Sequence, residues 1–343
     1  MKKLARVLPL LALFVAFGCS SDNAGPESTT GVSGSTTTTA APAPGAPFKV
    51  ALLTPGPVSD AGWNALAYDG LQAIKSDMGA EVNNQEATDS NIKDAMRSYG
   101  QEGYSLVIGH GYEYNQVESE VAKDFPKTVF VSSSGGLSGG NFGAFRFNLE
   151  QGFYLAGMMA ASLSKTGVIA EVGLDVPSIV STFKGFEAGA KAVNPNIKIV
   201  RKMVPLPGND PAAYKQATLA AIAEKADYVI HQANQGASAV FGAAKEKGVF
   251  VFGSNADQNA DPSGVVIASA VIVAKPAFLD LAKQVKDGTY KGGVNLIGMD
   301  KGAIDFVINP KFADKVPADL KAKIDQAKAD IVSGKVIVPK DEF

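Results

Sequence analysis

Cysteine, histidine and tryptophan are nearly missing from this chain, and each scarcity removes a class of chemistry. A single cysteine among 343 residues rules out an intrachain disulfide. Two histidines, His110 and His231, lie too far apart in sequence to suggest metal-ligand spacing. No basic block occurs and the formal net charge is −2, which argues against a nucleic-acid partner. A Gly-x-Gly-x-x-Gly turn after the first strand is absent, as are a Ser-His-Asp pattern and clustered metal ligands. No carboxylate pair is marked by its spacing. These absences point away from an enzyme, and no cofactor or metal is expected.

What is present is a globular composition, 46% hydrophobic and 19% charged. The length exceeds one comfortable hydrophobic core and implies two domains. The amino terminus reads as a targeting segment: Lys2, Lys3 and Arg6 precede an apolar stretch, Val7–Phe17. That stretch is too short for a membrane-crossing helix, which needs ~20 apolar residues, and fits a signal-peptide core. It ends at Ala16-Phe17-Gly18-Cys19, which resembles a bacterial lipobox, whose cysteine becomes lipid-modified and then stands first in the mature chain. Phe17 occupies a place where a small residue is usual, so an ordinary signal peptide with an incidental cysteine is the alternative. Residues 20–47 are rich in Ser, Thr, Gly, Pro and Ala and can bury no core, as expected of a disordered tether.

From Phe48 the pattern alternates between strand and helix. Expected strands lie at Phe48–Leu53, Ala80–Gln85, Ser105–Gly109 and Thr128–Ser132, with helices at Trp63–Asp77, Asn91–Gln101 and Asn115–Phe125. After the glycine-rich stretch Gly135–Gly143 a second set begins with a small-residue apolar helix, Gln151–Leu163. Strands at Gly167–Val172, Ile197–Val204, Tyr228–His231 and Val249–Gly253 then alternate with helices at Ser181–Val193, Pro211–Lys225 and Ala237–Gly248. The halves correspond: residues 104–109 parallel 227–231, and 125–131 parallel 247–253. The expected fold class is α/β, with two doubly wound parallel-sheet lobes facing each other across a hinge. Ligands of open α/β sheets sit at the carboxyl ends of strands, so a ligand between the lobes would drive their closure. The tail carries a helix, a strand near Gly293–Gly298 and a charged helix at Pro317–Ser333, and is expected to complete both lobes. The expected division is 1–18 signal peptide, 19–47 lipidated cysteine and tether, 48–148 with about 273–296 as the first lobe, and 149–272 with about 297–343 as the second.

The segments VALLTPGPVSDAGWN, GYSLVIGHGY, FPKTVF, GFYLAGMMAASLSKTGVIAEVG, TFKGFEAGAKAVNP and VFGSNADQN follow one another in an order that is itself informative. Together they resemble the basic membrane protein (Med-like) family of ABC-transporter substrate-binding lipoproteins, which includes bacterial purine nucleoside receptors. The resemblance implies a type I periplasmic-binding fold with three interlobe crossings, ABC permease and ATPase partners, a membrane-anchored extracytoplasmic location and a monomeric working form. It also implies a planar heterocycle as cargo, a purine base or nucleoside first and a flavin-like molecule or a sugar as alternatives. A ligand-sensing role in signalling is a further alternative.

Candidate ligand residues follow. Trp63, at the junction of the first strand and helix, can stack on a flat ring at little entropic cost, or can be a core aromatic. Asp60 can cap that helix, contact ligand, or both, and Asn64 follows Trp63. His110 and Tyr112 follow a buried strand at its carboxyl end; Ser134 and Asn234 occupy matching strand ends in the two halves. By the resemblance, Phe183 supplies the opposite face of an aromatic sandwich, with packing against Phe186 as the competing reading. Asn255 and Asp257 lie in Gly-Ser-Asn-Ala-Asp-Gln, where nucleoside receptors carry Gly-Val-Asp-Ser-Asp-Gln with the first Asp on the ribose. Here Asn255 replaces that acid, and Ile272 stands where they carry a lysine. An amide holds a vicinal diol less well than a carboxylate, so the stacking half of such a pocket is retained, while recognition of a ribose is left open by Asn255 and Ile272.

Overall fold

The computed structural model describes residues 47–60 and 62–342. The signal peptide, Cys19 and nearly all of the tether lie outside the described residues.

Strand β1 (Lys49–Thr54) is buried almost throughout, the mark of a parallel strand covered on both faces. It feeds helix α1 (Trp63–Met78), whose Ala67, Leu71 and Ile74 turn inward at helical spacing. The chain continues through β2 (Glu81–Glu86), α2 (Ser90–Gln101), β3 (Leu106–Gly109), α3 (Glu113–Val121), β4 (Val129–Ser132) and β5 (Phe142–Phe147). A second run comprises α4 (Glu150–Leu163), β6 (Val168–Leu174), α5 (Pro177–Val193), β7 (Lys198–Val204), α6 (Pro211–Ala223), β8 (Tyr228–Gln232), α7 (Ala237–Lys247), β9 (Phe250–Asn255) and β10 (Val266–Ile272). The tail adds α8 (Ala274–Lys286), β11 (Gly293–Ile297), β12 (Ile304–Ile308) and α9 (Ala318–Val332).

These strands form two six-stranded sheets, ordered β2-β1-β3-β4-β5-β11 and β7-β6-β8-β9-β10-β12. Each sheet starts near one edge, steps back once, and then runs on to the other edge, so the pseudo-repeat extends to topology. All pairs are parallel except β10 with β12. The chain passes between the sheets after β5, after β10 and after β11, which gives the three crossings of the type I periplasmic-binding architecture. In each sheet the reversal of strand order lies at the first strand, and loops at its carboxyl end open a crevice there.

Three strands differ from the sequence reading. β5 extends from a stretch read as a glycine-rich connection, and β10 and β12 were not assigned at all. β5 (FGAFRF) and β10 (VIASAVI) interleave glycine, alanine and serine with their apolar residues, so no uninterrupted bulky run marks them. Helix α5 begins at Pro177, four residues before the expected Ser181. Proline's missing N–H is no loss in a first helical turn, and its fixed φ suits one.

Helices α4 and α5 pack at very close range. A Cβ on Gly157 would come 2.0 Å from the Phe186 carbonyl oxygen, and one on Gly189 would come 1.9 Å from that of Tyr154. The small-residue character of α4 is thus a packing requirement: two backbones meet where no side chain fits.

Candidate functional site

A cavity of about 630 Å³ lies at the strand carboxyl ends, walled by residues of both sheets and of the crossing after β5. That volume is within the range of small-molecule sites, roughly 300–1,000 Å³.

The loop after β1 builds one wall. Asp60 accepts hydrogen bonds from the backbone N–H groups of Gly62 (3.0 Å), Asn64 (2.9 Å) and Ala65 (2.9 Å), capping α1. Its carboxylate serves the backbone, and Asp60 is not part of the cavity wall. Trp63, the first residue of α1, is half-buried and lines the cavity. Its indole stacks on the His110 imidazole, with centroids 3.9 Å apart and planes inclined by 22°. Indole Nε1 donates to the His110 carbonyl (3.3 Å), and His110 Nε2 donates back to the Trp63 carbonyl (2.7 Å). Because a carbonyl can only accept, the Nε2–H tautomer is required, and Ser133 Oγ then donates to Nδ1 (2.8 Å).

His110 is thus not part of the cavity wall, where its strand-end position was expected to put it. It is fully buried behind the indole and holds it in place. Burial pushes its pKa down to about 3, and burial likewise brings His231, whose Nε2 donates to Gln258, down to about 4. The unfolded chain takes up these protons near the ordinary pKa of 6.5, while the folded chain refuses them. Their contribution to stability is thus full above pH 6.5 and is lost as pH falls toward the folded values. The expected slope is about 1.4 kcal/mol per pH unit for each histidine. Urea unfolding between pH 7.5 and 4.5 measures it, and His231→Gln should remove one histidine's share; equal slopes in both proteins would refute the assignment.

Further along the first wall, Tyr112 is 45% exposed, and Ser134 lines the cavity with its hydroxyl donating to the Ser133 carbonyl (2.7 Å). Asn64 is buried in the wall, and its Oδ1 has no hydrogen-bond partner among the described residues. From the second lobe, Asn234 Oδ1 accepts the Trp63 backbone N–H (3.3 Å), a direct bond between lobes beside the indole. Asn255 donates from Nδ2 to Gln232 Oε1 (3.2 Å), and both residues line the cavity. Asn234 and Asn255 adopt φ of 43° and 67°, a region asparagine tolerates better than most residues.

Two further expected residues lie outside the cavity wall. Phe183 is fully buried in the core, 6.0 Å from Phe153 by ring centroids and beneath the Arg201 guanidinium at 5.4 Å. The early start of α5 explains this: Phe183 is the seventh residue of the helix, not a junction residue, and Ser178, Ile179 and Thr182 line the cavity instead. Asp257 is exposed, with its carboxylate accepting the Asn259 N–H (3.0 Å), and is not in the wall. On the second lobe's side the loop after β7 presents Leu206, 60% exposed, and Pro207.

One pair escaped the sequence reading. Arg146 at the end of β5 and Glu150 at the start of α4 both line the cavity, are 5% and 1% exposed, and pair at 3.4 Å. Arg146 Nη1 donates to the Asp341 carbonyl (2.9 Å), and Ser181 Oγ donates to Glu150 Oε1 (2.5 Å). Ser181 in turn accepts the Asp341 N–H (2.9 Å), and Lys184 pairs with the Asp341 carboxylate. Burial raises the Glu150 pKa, opposed by Ser181 and Arg146. The i, i+4 spacing of Arg and Glu was readable, but their partners on α5 and at residue 341 were not.

A family model described as ABC transporter substrate-binding protein PnrA-like (Bmp) matches residues 48–342. The chain belongs to the Bmp family. Basic membrane protein A of Borreliella burgdorferi is 27% identical over 305 residues, covering 86% of this chain and 88% of that protein. A purine-binding protein of Brucella abortus is 25% identical over 295 residues, covering 84% of this chain and 82% of that protein. A solute-binding protein of an ABC transporter system from Aeropyrum pernix K1 superposes with a TM-score of 0.76 at 18% identity, covering 86% of this chain and 95% of that one, a likeness of fold alone. As a Bmp-family substrate-binding protein the chain is of a class that takes a small-molecule ligand, meets a permease and works outside the cytoplasm.

Proposed function

We propose that this Bmp-family protein is a lipid-anchored receptor, tethered through Cys19, that captures a purine-type planar heterocycle between its lobes and presents it to an ABC permease. The observation that carries the reading is the Trp63 indole, fixed from behind by His110 and lining the interlobe cavity. An aromatic plate already immobilised loses little entropy when a flat ring stacks on it. Leu206, Pro207 and Ile179 supply apolar surface on the second lobe's side, in place of the Phe183 ring. Asn64, Asn234, Asn255, Gln232 and Gln235 add amides, which donate and accept without charge, as ring nitrogens and exocyclic groups of a heterocycle require. The similarity to a purine-binding protein supports the ligand class.

Thermal unfolding of the full mature chain with adenine, hypoxanthine, their nucleosides, riboflavin and hexoses tests this. A true ligand at 100 times its Kd stabilises by about 2.7 kcal/mol. Stabilisation by purines supports the reading; stabilisation by a hexose alone overturns it.

A further inference from the structure

We propose that Asn234 is an interlobe latch: its side chain caps helix α1 from the opposite lobe and favours closure of the cleft before any ligand adds contacts. This role is separate from ligand recognition and does not depend on which molecule the cavity takes.

The first turn of α1 carries the case. A helix starts with backbone N–H groups that have no partner inside the helix, and one left unmet away from water is costly. Here the first lobe serves its own helix start almost completely. Asp60 accepts the N–H groups of Gly62, Asn64 and Ala65, and the Gly62 carbonyl accepts that of Leu66 (3.1 Å). The Trp63 N–H is the exception. Among the described residues its acceptor is Asn234 Oδ1 (3.3 Å), which lies 171 positions away in the second lobe. Hinged lobes part by rotating about their crossings, and on parting both groups lose this bond. A cap supplied from the facing lobe therefore exists only while the cleft is closed.

The surroundings of this bond are shaped for it. A Cβ on Gly62 would come 2.9 Å from Asn234 Oδ1, so glycine there leaves the amide room to reach the helix end. The turn beneath Asn234 is fixed: the Gly236 N–H donates to the Ala233 carbonyl (2.7 Å), and a Cβ on Gly236 would come 2.2 Å from the Tyr214 ring. The same turn meets the loop after β1 at a second point, where Gln235 Nε2 lies 3.2 Å from the place of a Cβ on Gly56. A neutral amide suits the position. Asp60 Oδ2 lies 4.0 Å from the same Cβ place on Gly62, and a second carboxylate there would be repelled by the first. The latched N–H belongs to the residue whose indole walls the cavity, so the latch also holds the start of the helix that carries the plate.

Asn234→Gly removes the acceptor and keeps the positive φ of 43° without strain. Asn255→Gly is the matched control: Asn255 also has a positive φ, 67°, and also lines the cavity, but its amide bonds Gln232 within the second lobe. In the ligand-free mature chain, small-angle scattering measures the ratio of open to closed molecules. Acrylamide quenching of Trp63, the only tryptophan, reports access to the cleft. Asn234→Gly is expected to raise the ratio by about 2- to 12-fold, the range for loss of one hydrogen bond, and to increase quenching. Asn255→Gly should change neither. An unchanged ratio in Asn234→Gly, or an equal rise in both variants, overturns the latch and leaves the receptor reading intact. Hydrogen exchange of the Trp63 amide in the ligand-free wild-type protein gives a second reading that needs no variant. Exchange slowed by at least about threefold relative to an unstructured peptide supports the latch, and exchange at the unstructured rate overturns it.

Discussion

Trp63→Ala is expected to weaken binding of a planar ligand by roughly 30- to 1,000-fold, the equivalent of about 2–4 kcal/mol for loss of a tryptophan anchor. The indole supplies apolar area and a π-face, and its orientation is overdetermined. Its N–H is tied to the His110 carbonyl, its ring to the imidazole, and its backbone N–H to Asn234 across the cleft. Alanine keeps the backbone bond and the helix start but removes the plate. Trp63→Phe keeps a smaller ring without the Nε1 bond and should fall between the two. Calorimetry gives the affinity, while circular dichroism and thermal unfolding report the fold. Unchanged affinity in a folded Trp63→Ala protein would remove the stacking role. Loss of the fold would instead assign Trp63 to the core, because α1 would then depend on it.

Gly189→Ala carries the largest expected effect on stability. The added methyl would sit 1.9 Å from the Tyr154 carbonyl oxygen, and backbone atoms in the middle of a helix cannot step aside as a side chain can. Overpacking of ordinary side chains costs about 1–3 kcal/mol, and a backbone collision belongs at or above the upper end. A loss of about 3 kcal/mol is a large part of a typical 5–15 kcal/mol stability and should lower Tm by roughly 6–12 °C. Gly242→Ala in α7 is the control: beyond its own helix backbone and chain neighbours, no atom of the described residues lies within 4 Å of its added Cβ. Helix propensity then dominates, and the expected change is a gain of about 0.5–1 kcal/mol. Equal Tm for the two variants would show that α4 and α5 can separate at no cost, contrary to the close packing described above.

Much of the cavity wall was readable at strand ends. Tyr112, Ser134, Asn234 and Asn255 all follow or end buried strands, and all line the cavity. The rule that exposed them is topological, since open parallel sheets present polar loops at one end. The same rule misplaced His110, because a strand-end residue can turn toward its own lobe as easily as toward the cleft. Phe183 was misplaced for a different reason. The start of α5 at Pro177 moved it more than a turn into the helix, onto the buried side.

By itself the sequence determined the alternation of strands and helices, the repeat of the two halves, and Trp63 at a strand-to-helix junction. Those features are local: periodicity, turn residues and burial patterns act within a few residues of one another. Only the tertiary structure decided which face of a residue meets the cavity and which groups share a charge. The Arg146–Glu150 pair shows why. Its environment is assembled from the end of β5, the start of α4, Ser181 of α5 and the chain's last residues at Asp341. Contacts nearly two hundred positions apart leave no spacing to read, because they are set by how the packed helices and the returning tail meet at the crossing between lobes.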